Sequence, residues 1–493
     1  MSRPHTLQEM QARYGERYRW LLLLAVMVGT MASIMSSTII NVAIPDMSHH
    51  FALGQERAQW ATSSFMVATT LAMLCTPWLL GAYGYRRTYV ITMLMLMGGG
   101  IAGGLANHFG LVLAARVVEG LAAGAVQPIP AVIIIRAFEP HERGRASGIF
   151  GMGVVLAPAL GPSIGGLLVE WFGWRSIFFM VVPFCLASLW LAYRFVPVSS
   201  PGGVKPDPAA NQLDWRSLIL VGAGTLCLLN GLVAWHQNGL SLGLGLLALA
   251  LVCLIVFIHW QRRQAQAGSM PLIHPAVFAN RPFAMGSLVS FIYGIAIFGS
   301  TYLLPLYIQM GQQISPSHVG TILLPAGIAL AVTIPLAGSL SDRWPIRVMV
   351  CLGLFLLALS FALMTFIGLH GAIGLMVCWV LLGRVGLGFI LPSLNNGSMR
   401  TLDSHLVSTG SSAISFLRML GGAVGVSLCG IVLEWRIAAN GDSLTRLESS
   451  TQRLAAFNET FVLLSAICAM AMLAAWQLRA PSAKILQSPA GAR

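Results

Sequence analysis

Long apolar runs separated by short polar breaks dominate the chain. A helix needs roughly 20 apolar residues to cross the hydrocarbon core of a bilayer. Dividing the chain at its polar breaks predicts about fourteen such spans on that length criterion. Their cores lie at 19–45, 60–82, 88–106, 110–135, 146–169, 176–196, 217–235, 239–260, 283–309, 319–340, 348–369, 372–399, 406–433 and 457–478. Three breaks are longer: 197–215, rich in Pro, Gly and Ser, then 261–282 and 434–457. The first two bracket the spans 217–235 and 239–260, with six spans on either side. The pattern therefore predicts an all-α integral membrane protein built as two six-helix bundles with an inserted two-helix hairpin. Residues 1–200 form the first bundle, 201–282 a linker with two extra transmembrane helices, and 283–493 the second bundle with a cytoplasmic tail.

Composition agrees with lipid as the solvent. Of 493 residues 56% are hydrophobic and only 9% charged, with a mean hydropathy of +0.77, against roughly 25% charged in an ordinary soluble domain. The net charge of +13 would suit nucleic acid if it were clustered, so its distribution decides. Of the 29 Lys and Arg residues, 21 fall in tails and loops on the side of the N-terminus, five on the opposite side, and three inside spans. This bias puts both termini in the cytoplasm by the positive-inside rule, in a multi-pass protein of the cell (inner) membrane. The charge reports topology, and no nucleic acid is expected as a partner. The eight Cys all lie inside predicted spans without metal-ligand spacing, which argues against disulfides and zinc. The first 18 residues are polar, carry Arg3, Arg13 and Arg17, and lead into an apolar run with no cleavage-site pattern. That run reads as a retained helix and not as a signal peptide. No nucleophile–base–acid grouping, metal cluster or Gly-rich phosphate loop is present, so neither an enzyme nor a cofactor is expected.

An internal repeat supports the division into halves. Arg116-Val-Val-Glu-Gly120 in the fourth span of the first half matches Arg384-Val-Gly-Leu-Gly388 in the fourth span of the second. The loop Pro77-Trp-Leu-Leu-Gly-Ala-Tyr-Gly-Tyr-Arg-Arg87 likewise matches Gly338-Ser-Leu-Ser-Asp-Arg-Trp-Pro-Ile-Arg347. Two halves repeated in parallel around a mid-membrane site are a recurrent transporter plan.

Ionisable groups inside a bilayer are costly, by about 2.5–3.5 kcal/mol on insertion scales. Nearly all of the 16 acidic residues sit in loops or at span ends. Glu119 is the exception, and Glu459, near the start of the last span, comes second. Arg116, three residues before Glu119, shares its helix face. A buried carboxylate beside a cation can exist charged or neutral, as a proton carrier must. Two readings follow: a proton-coupling switch made of Glu119 and Arg116, or a permanent ion pair that lowers the cost of inserting Arg116.

Along the fifth span, Gly153, Gly161, Gly165 and Gly166 leave a face without side chains for close helix approach, while Pro158 and Pro162 remove backbone donors and bend the helix. Asp342, with Arg343 and Arg347, is placed to gate the cytoplasmic end. Asn41, Gln127, Tyr302, Tyr307, Gln309, Arg384, Asn395, Asn396 and Arg418 are candidates for the wall of a substrate cavity, since polar groups at these depths prefer protein or water to lipid. The three intramembrane Arg outnumber the one intramembrane Glu. If they face a cavity, an anionic or neutral amphipathic substrate is expected before a lipophilic cation.

At these residues the chain resembles the fourteen-span drug–proton antiporters of the major facilitator superfamily, over nearly its whole length. Thr38-Ile-Ile-Asn-Val-Ala-Ile-Pro45 is similar to the family's first-span signature, and Leu160-Gly-Pro-Ser-Ile-Gly-Gly166 to its fifth-span antiporter motif. Trp174-Arg-Ser-Ile-Phe178 is similar to the start of the sixth span and Arg418-Met-Leu-Gly-Gly-Ala-Val-Gly425 to the thirteenth. The resemblance implies a major facilitator fold and an alternating-access exporter that exchanges protons for amphipathic small molecules. It also implies that the span-5 glycines and prolines limit proton leak. Three departures stand out. The first span has Met35-Ser36-Ser37-Thr38 where the family carries an Asp, Gly81 stands where the first loop motif carries an Asp, and Glu119 replaces a Gln. Uptake by proton symport and a non-transporting receptor share the fold and remain open. The expected partners are a small-molecule substrate, protons, the lipid bilayer and, at the outer segment 434–457, a periplasmic adaptor protein.

Overall fold

A computed structural model describes residues 7–53, 60–200, 206, 213–237, 240–267, 271–312, 314, 316–368, 372–440 and 451–478. Among them the chain is almost wholly helical. A short α1 (Leu7–Tyr14) leads into α2 (Tyr18–His50), followed by α3 (Trp60–Gly104), α4 (Phe109–Val126), α5 (Ile129–Ala137), α6 (Arg143–Phe172) and α7 (Ser176–Phe195). The hairpin is α8 (Trp215–Gln237) and α9 (Leu240–Gln266), and a single turn, α10 (Ala276–Ala279), precedes the second half. There follow α11 (Arg281–Leu306), which ends in a π-turn at Tyr307–Gly311, then α12 (Pro316–Ser341), α13 (Ile346–Met364), α14 (Ile373–Met399), α15 (Val407–Ala439) and α16 (Thr451–Ala475).

Among the described residues twelve helices are long and apolar enough to cross a membrane, so the protein is a multi-pass membrane protein. Two of the runs expected from the sequence, 60–82 and 88–106, share the 45-residue α3. A straight helix of that length would extend about 67 Å, more than twice the roughly 30 Å hydrocarbon core. The chain turns at Gly84, whose φ of 75° and ψ of 175° leave the helix. A side chain there is excluded twice over, because positive φ favours Gly and a Cβ would lie 2.3 Å from the carbonyl oxygen of Val198. The expected span 110–135 is one crossing, Phe109–Ala137, with a local break at Gln127 and Pro128 between α4 and α5. At the other end of the chain, α15 runs on to Ala439 and α16 begins at Thr451. The polar segment 434–457 is thus largely helical at its ends, and residues 441–450 lie outside the described ones.

Each half has its own core. Tyr18, Leu22, Tyr89, Val132 and Phe195 are buried together in the first, and Val289, Leu354, Phe361, Leu387 and Phe461 in the second. Across the halves α6 packs on α12 and α3 on α15. A third cluster joins them, with Leu74 from α3 and Phe283, Met399 and Ile414 from the second half. Val221 and Phe257 bring the hairpin into that cluster. Helix α8 rests on α3 and α15, whereas α9 exposes Leu251, Val252, Leu254 and Ile255. Such an apolar surface is stable only in lipid.

Candidate functional site

The deepest charged site is assembled on α4. His108 starts that helix, its Nδ1 accepting from the Leu111 amide at 3.1 Å. Two turns later Arg116 and Glu119 point the same way. The Arg116 Nη1 donates to Glu119 Oε2 at 2.7 Å, to the Ser36 carbonyl at 3.1 Å and to Ser36 Oγ at 3.0 Å, while its Nε donates to the Ala61 carbonyl at 3.1 Å. The guanidinium also lies over the Phe65 ring, 4.2 Å from its centroid. Both charged side chains are 1% exposed. Gly99 makes the space: a Cβ there would come within 2.7 Å of Glu119 Cγ. Arg116 therefore ties α2, the start of α3 and α4 into one polar knot at the middle of α4, and Gly99 brings the far limb of α3 against Glu119. The knot is incompletely satisfied, since Arg116 Nη2 and Glu119 Oε1 have no hydrogen-bond partner among the described residues. Ser36 belongs to the stretch that lacks the expected first-span acid, so the carboxylate facing Arg116 comes from α4 itself.

A second construction closes one end of the interface between halves, on the basic face where α2 begins. Asp342, just past α12, accepts from the Gly144 and Arg145 amides at the start of α6, at 2.7 and 2.9 Å. A carboxylate is favoured at a helix N-terminus by its free amides and dipole. Half-burial pushes the Asp342 carboxyl above its ordinary range, outweighing those two amides and His141, which pull it down. Beneath it α6 and α12 approach through glycines: a Cβ on Gly144 or Gly338 would lie 2.3 or 2.4 Å from the carbonyl oxygen of the other. Ser411 of α15 donates to the Pro128 carbonyl at 2.8 Å, and Arg136 donates to the Ser404 carbonyl. Arg343 is exposed and Arg347 stacks over Trp476 at 5.4 Å, away from Asp342.

Of the glycines expected to make the close contact, the described ones do not face the other bundle. A Cβ at Gly153 would meet Met27 and one at Gly165 would meet Ile39, both on α2 of the same half, while Gly166 faces open space. The side chains of Asn41, Pro158, Gly161 and Pro162 lie outside the described residues. Tyr307 is fully buried against Phe457 and Phe461 and accepts a hydrogen bond from Gln312 at 2.8 Å. It is a core anchor rather than a cavity wall. Tyr302, Gln309, Gln127 and Asn395 are half-buried and Asn396 is buried. Arg384 and Arg418 are half-buried, and among the described residues neither has an acidic partner. Glu459 pairs with Arg436 between α15 and α16. Among the described residues no group of His, Cys, Asp and Glu could hold a metal.

Comparison with known proteins decides the family, since the Major Facilitator Superfamily model matches residues 26–426. The chain belongs to that superfamily. It is a membrane transporter and not an enzyme. The multidrug resistance protein B homolog of Mycobacterium tuberculosis (strain CDC 1551 / Oshkosh) is 27% identical over 86% of this chain and 79% of its own length. The multidrug export protein EmrB of Haemophilus influenzae is 26% identical, over 86% of this chain and 82% of its own. Among solved structures, a human organic anion transporter superposes with a TM-score of 0.66 at 16% identity, covering 93% of this chain and 99% of that one. A proton:xylose symporter superposes with 0.64 at 12% identity, covering 93% and 95%. At such identities the superpositions speak for the fold alone.

Sequence reasoning missed Ser36, Gly99 and the Gly144–Gly338 contact. Gly98-Gly-Gly100 was a visible signal for a close approach to α4. Nothing in the sequence marked Ser36 as the second acceptor of Arg116.

Proposed function

We propose that this transporter exports amphipathic small molecules, drugs or metabolites, by alternating access, in exchange for protons. Its two bundles rock about the interface of α6 with α12 and α3 with α15, the hairpin α8–α9 adds two crossings, and both termini are cytoplasmic in the cell (inner) membrane. Export is supported by the relatives named as multidrug resistance and multidrug export proteins. Counting α3 as two crossings about Gly84 and adding the 30-residue α6 to the remaining eleven long apolar helices, the hairpin included, the chain crosses about fourteen times, as in the drug–proton antiporters it resembles. The observation that carries proton coupling is Glu119, the one acidic side chain fully buried among the described residues, at 0% exposure. A carboxylate so placed, with one oxygen on Arg116 and the other unsatisfied, is poised between charged and neutral forms. Exchange with water requires α2, α3 and α4 to part, so coupling needs a rearrangement inside the first bundle that accompanies the rocking of the two bundles. Asp342 then serves as the cytoplasmic latch, broken and remade in each cycle.

The deciding experiment is substrate flux in proteoliposomes with and without an imposed pH gradient. Wild type is expected to drive export of an amphipathic dye only with the gradient. Glu119→Gln is expected to lose that drive and still bind the dye. Undiminished gradient-driven export by Glu119→Gln would leave the ion pair with a purely structural role.

A further inference from the structure

The internal repeat sets two sites side by side whose difference is one carboxylate. In the first half Arg116 faces Glu119, three residues on, and Ser36 of that half's first long helix. In the second half the matching positions are Arg384, Leu387 and, at a like distance along α11, Ser300. These three residues line one cavity together with Leu304, Phe361 and Val380. Where the first bundle holds its own carboxylate, the second presents an aliphatic side chain and a space of about 10 Å³, room for one water-sized group. Among the described residues Arg384 has no hydrogen bond or ion pair, although a cation at this depth is costly without one. Tyr293, 2% exposed on α11, lies near both Arg384 and Arg418, so this part of the bundle carries an excess of positive charge. No acidic side chain among the described residues balances it. The rest of the lining is apolar, from the aliphatic Leu304 and Val380 to the aromatic Phe361, except for Ser360, whose hydroxyl donates to the Trp379 carbonyl at 2.7 Å.

We propose that the Arg384 cavity receives the carboxylate of an amphipathic organic anion, which takes the place that Glu119 fills in the first half, and that such monocarboxylates are a transported class. The Ser300 hydroxyl, which donates to the Ile297 carbonyl at 3.0 Å here, turns to the anion beside the guanidinium, and the one-water space widens as α13 and α14 separate to take the carboxylate and its hydrocarbon body. The substrate class rests on the exporter reading above; the binding site does not.

The test uses full-length protein in nanodiscs and three ligands of equal chain length: octanoate, octanol and octyltrimethylammonium. Octanoate is expected to bind and raise the melting temperature, and the other two to do so weakly or not at all. Arg384→Gln is expected to weaken octanoate binding about tenfold or more, the size of a lost charge-assisted hydrogen bond. Leu387→Glu rebuilds the Arg116–Glu119 pattern and is expected to exclude octanoate while leaving the protein folded; should that variant fail to insert, Arg384→Gln decides. Equal binding of octanoate and octanol, an unchanged octanoate affinity in Arg384→Gln, or the same stabilisation by chloride alone would each overturn the proposal. Flux separates the two readings. Gradient-driven export of a neutral dye with no octanoate binding sinks the carboxylate site and keeps the exporter. Octanoate binding without any gradient-driven flux does the reverse.

Discussion

At the scale of single residues, the protein concentrates its electrostatic risk in Arg116 and Glu119. A buried pair gains little over a well-packed apolar pair, but breaking it leaves an uncompensated charge at a cost of about 3–5 kcal/mol. Arg116→Met is therefore expected to lower the thermal stability of the purified protein strongly. Arg116→Met combined with Glu119→Leu is expected to recover most of that loss, while remaining uncoupled from protons. Melting temperatures of the four proteins in one detergent check this; additive losses would mean that the pair is not the unit that matters. The pair itself was legible in the sequence, because a spacing of three on a helix puts both side chains on one face. Its setting was not, since Ser36, Ala61 and Phe65 reach Arg116 only through helix packing.

At the scale of elements, the meeting of α6 with α12 is where motion has to be controlled. Gly338→Leu places a side chain where a Cβ alone would be 2.4 Å from the Gly144 carbonyl oxygen, and Asp342→Lys sets a positive charge on the positive end of α6. Both are expected to hold the basic face open. A cysteine replacing the buried Ser415 (5% exposed) should then be labelled from the cytoplasmic side several times faster than in an otherwise wild-type background. Equal labelling rates would show that this contact is not the gate. Here the sequence was legible in part. Asp342 stood out as an acid at a span end, whereas the fifth-span glycines were expected to make a close helix contact without saying with which partner, and Gly153 and Gly165 pack on α2. Glycine spacing says that something comes close, and which helix comes close depends on how the bundle is rotated.

For the whole molecule, the hairpin offers the clearest check of topology. Cysteines at the exposed positions His141 and Ser404 are expected to react with an impermeant maleimide from the cytoplasmic side. Those at Gly173 and Gln237 are expected to react from the outside, the last one requiring that α8 crosses completely. Labelling at Gln237 from the cytoplasm would remove the hairpin from the membrane and reduce the crossings by two. Most of the architecture is legible in the chain's apolar pattern, because a bilayer accepts only segments that satisfy their own backbone, and such segments announce themselves by length and apolarity.

What the sequence determined alone was therefore what lipid enforces locally: helices, their approximate ends, and the repeat of the two halves. The tertiary structure decided which surfaces meet. It placed the turn between two spans at Gly84, gave Arg116 its acceptors on other helices, directed the glycines of α6, and set Arg384 against a cavity instead of a carboxylate. The physical reason is range. Partition into lipid acts on each segment independently, whereas close packing and burial of charge depend on atoms brought together from distant parts of the chain.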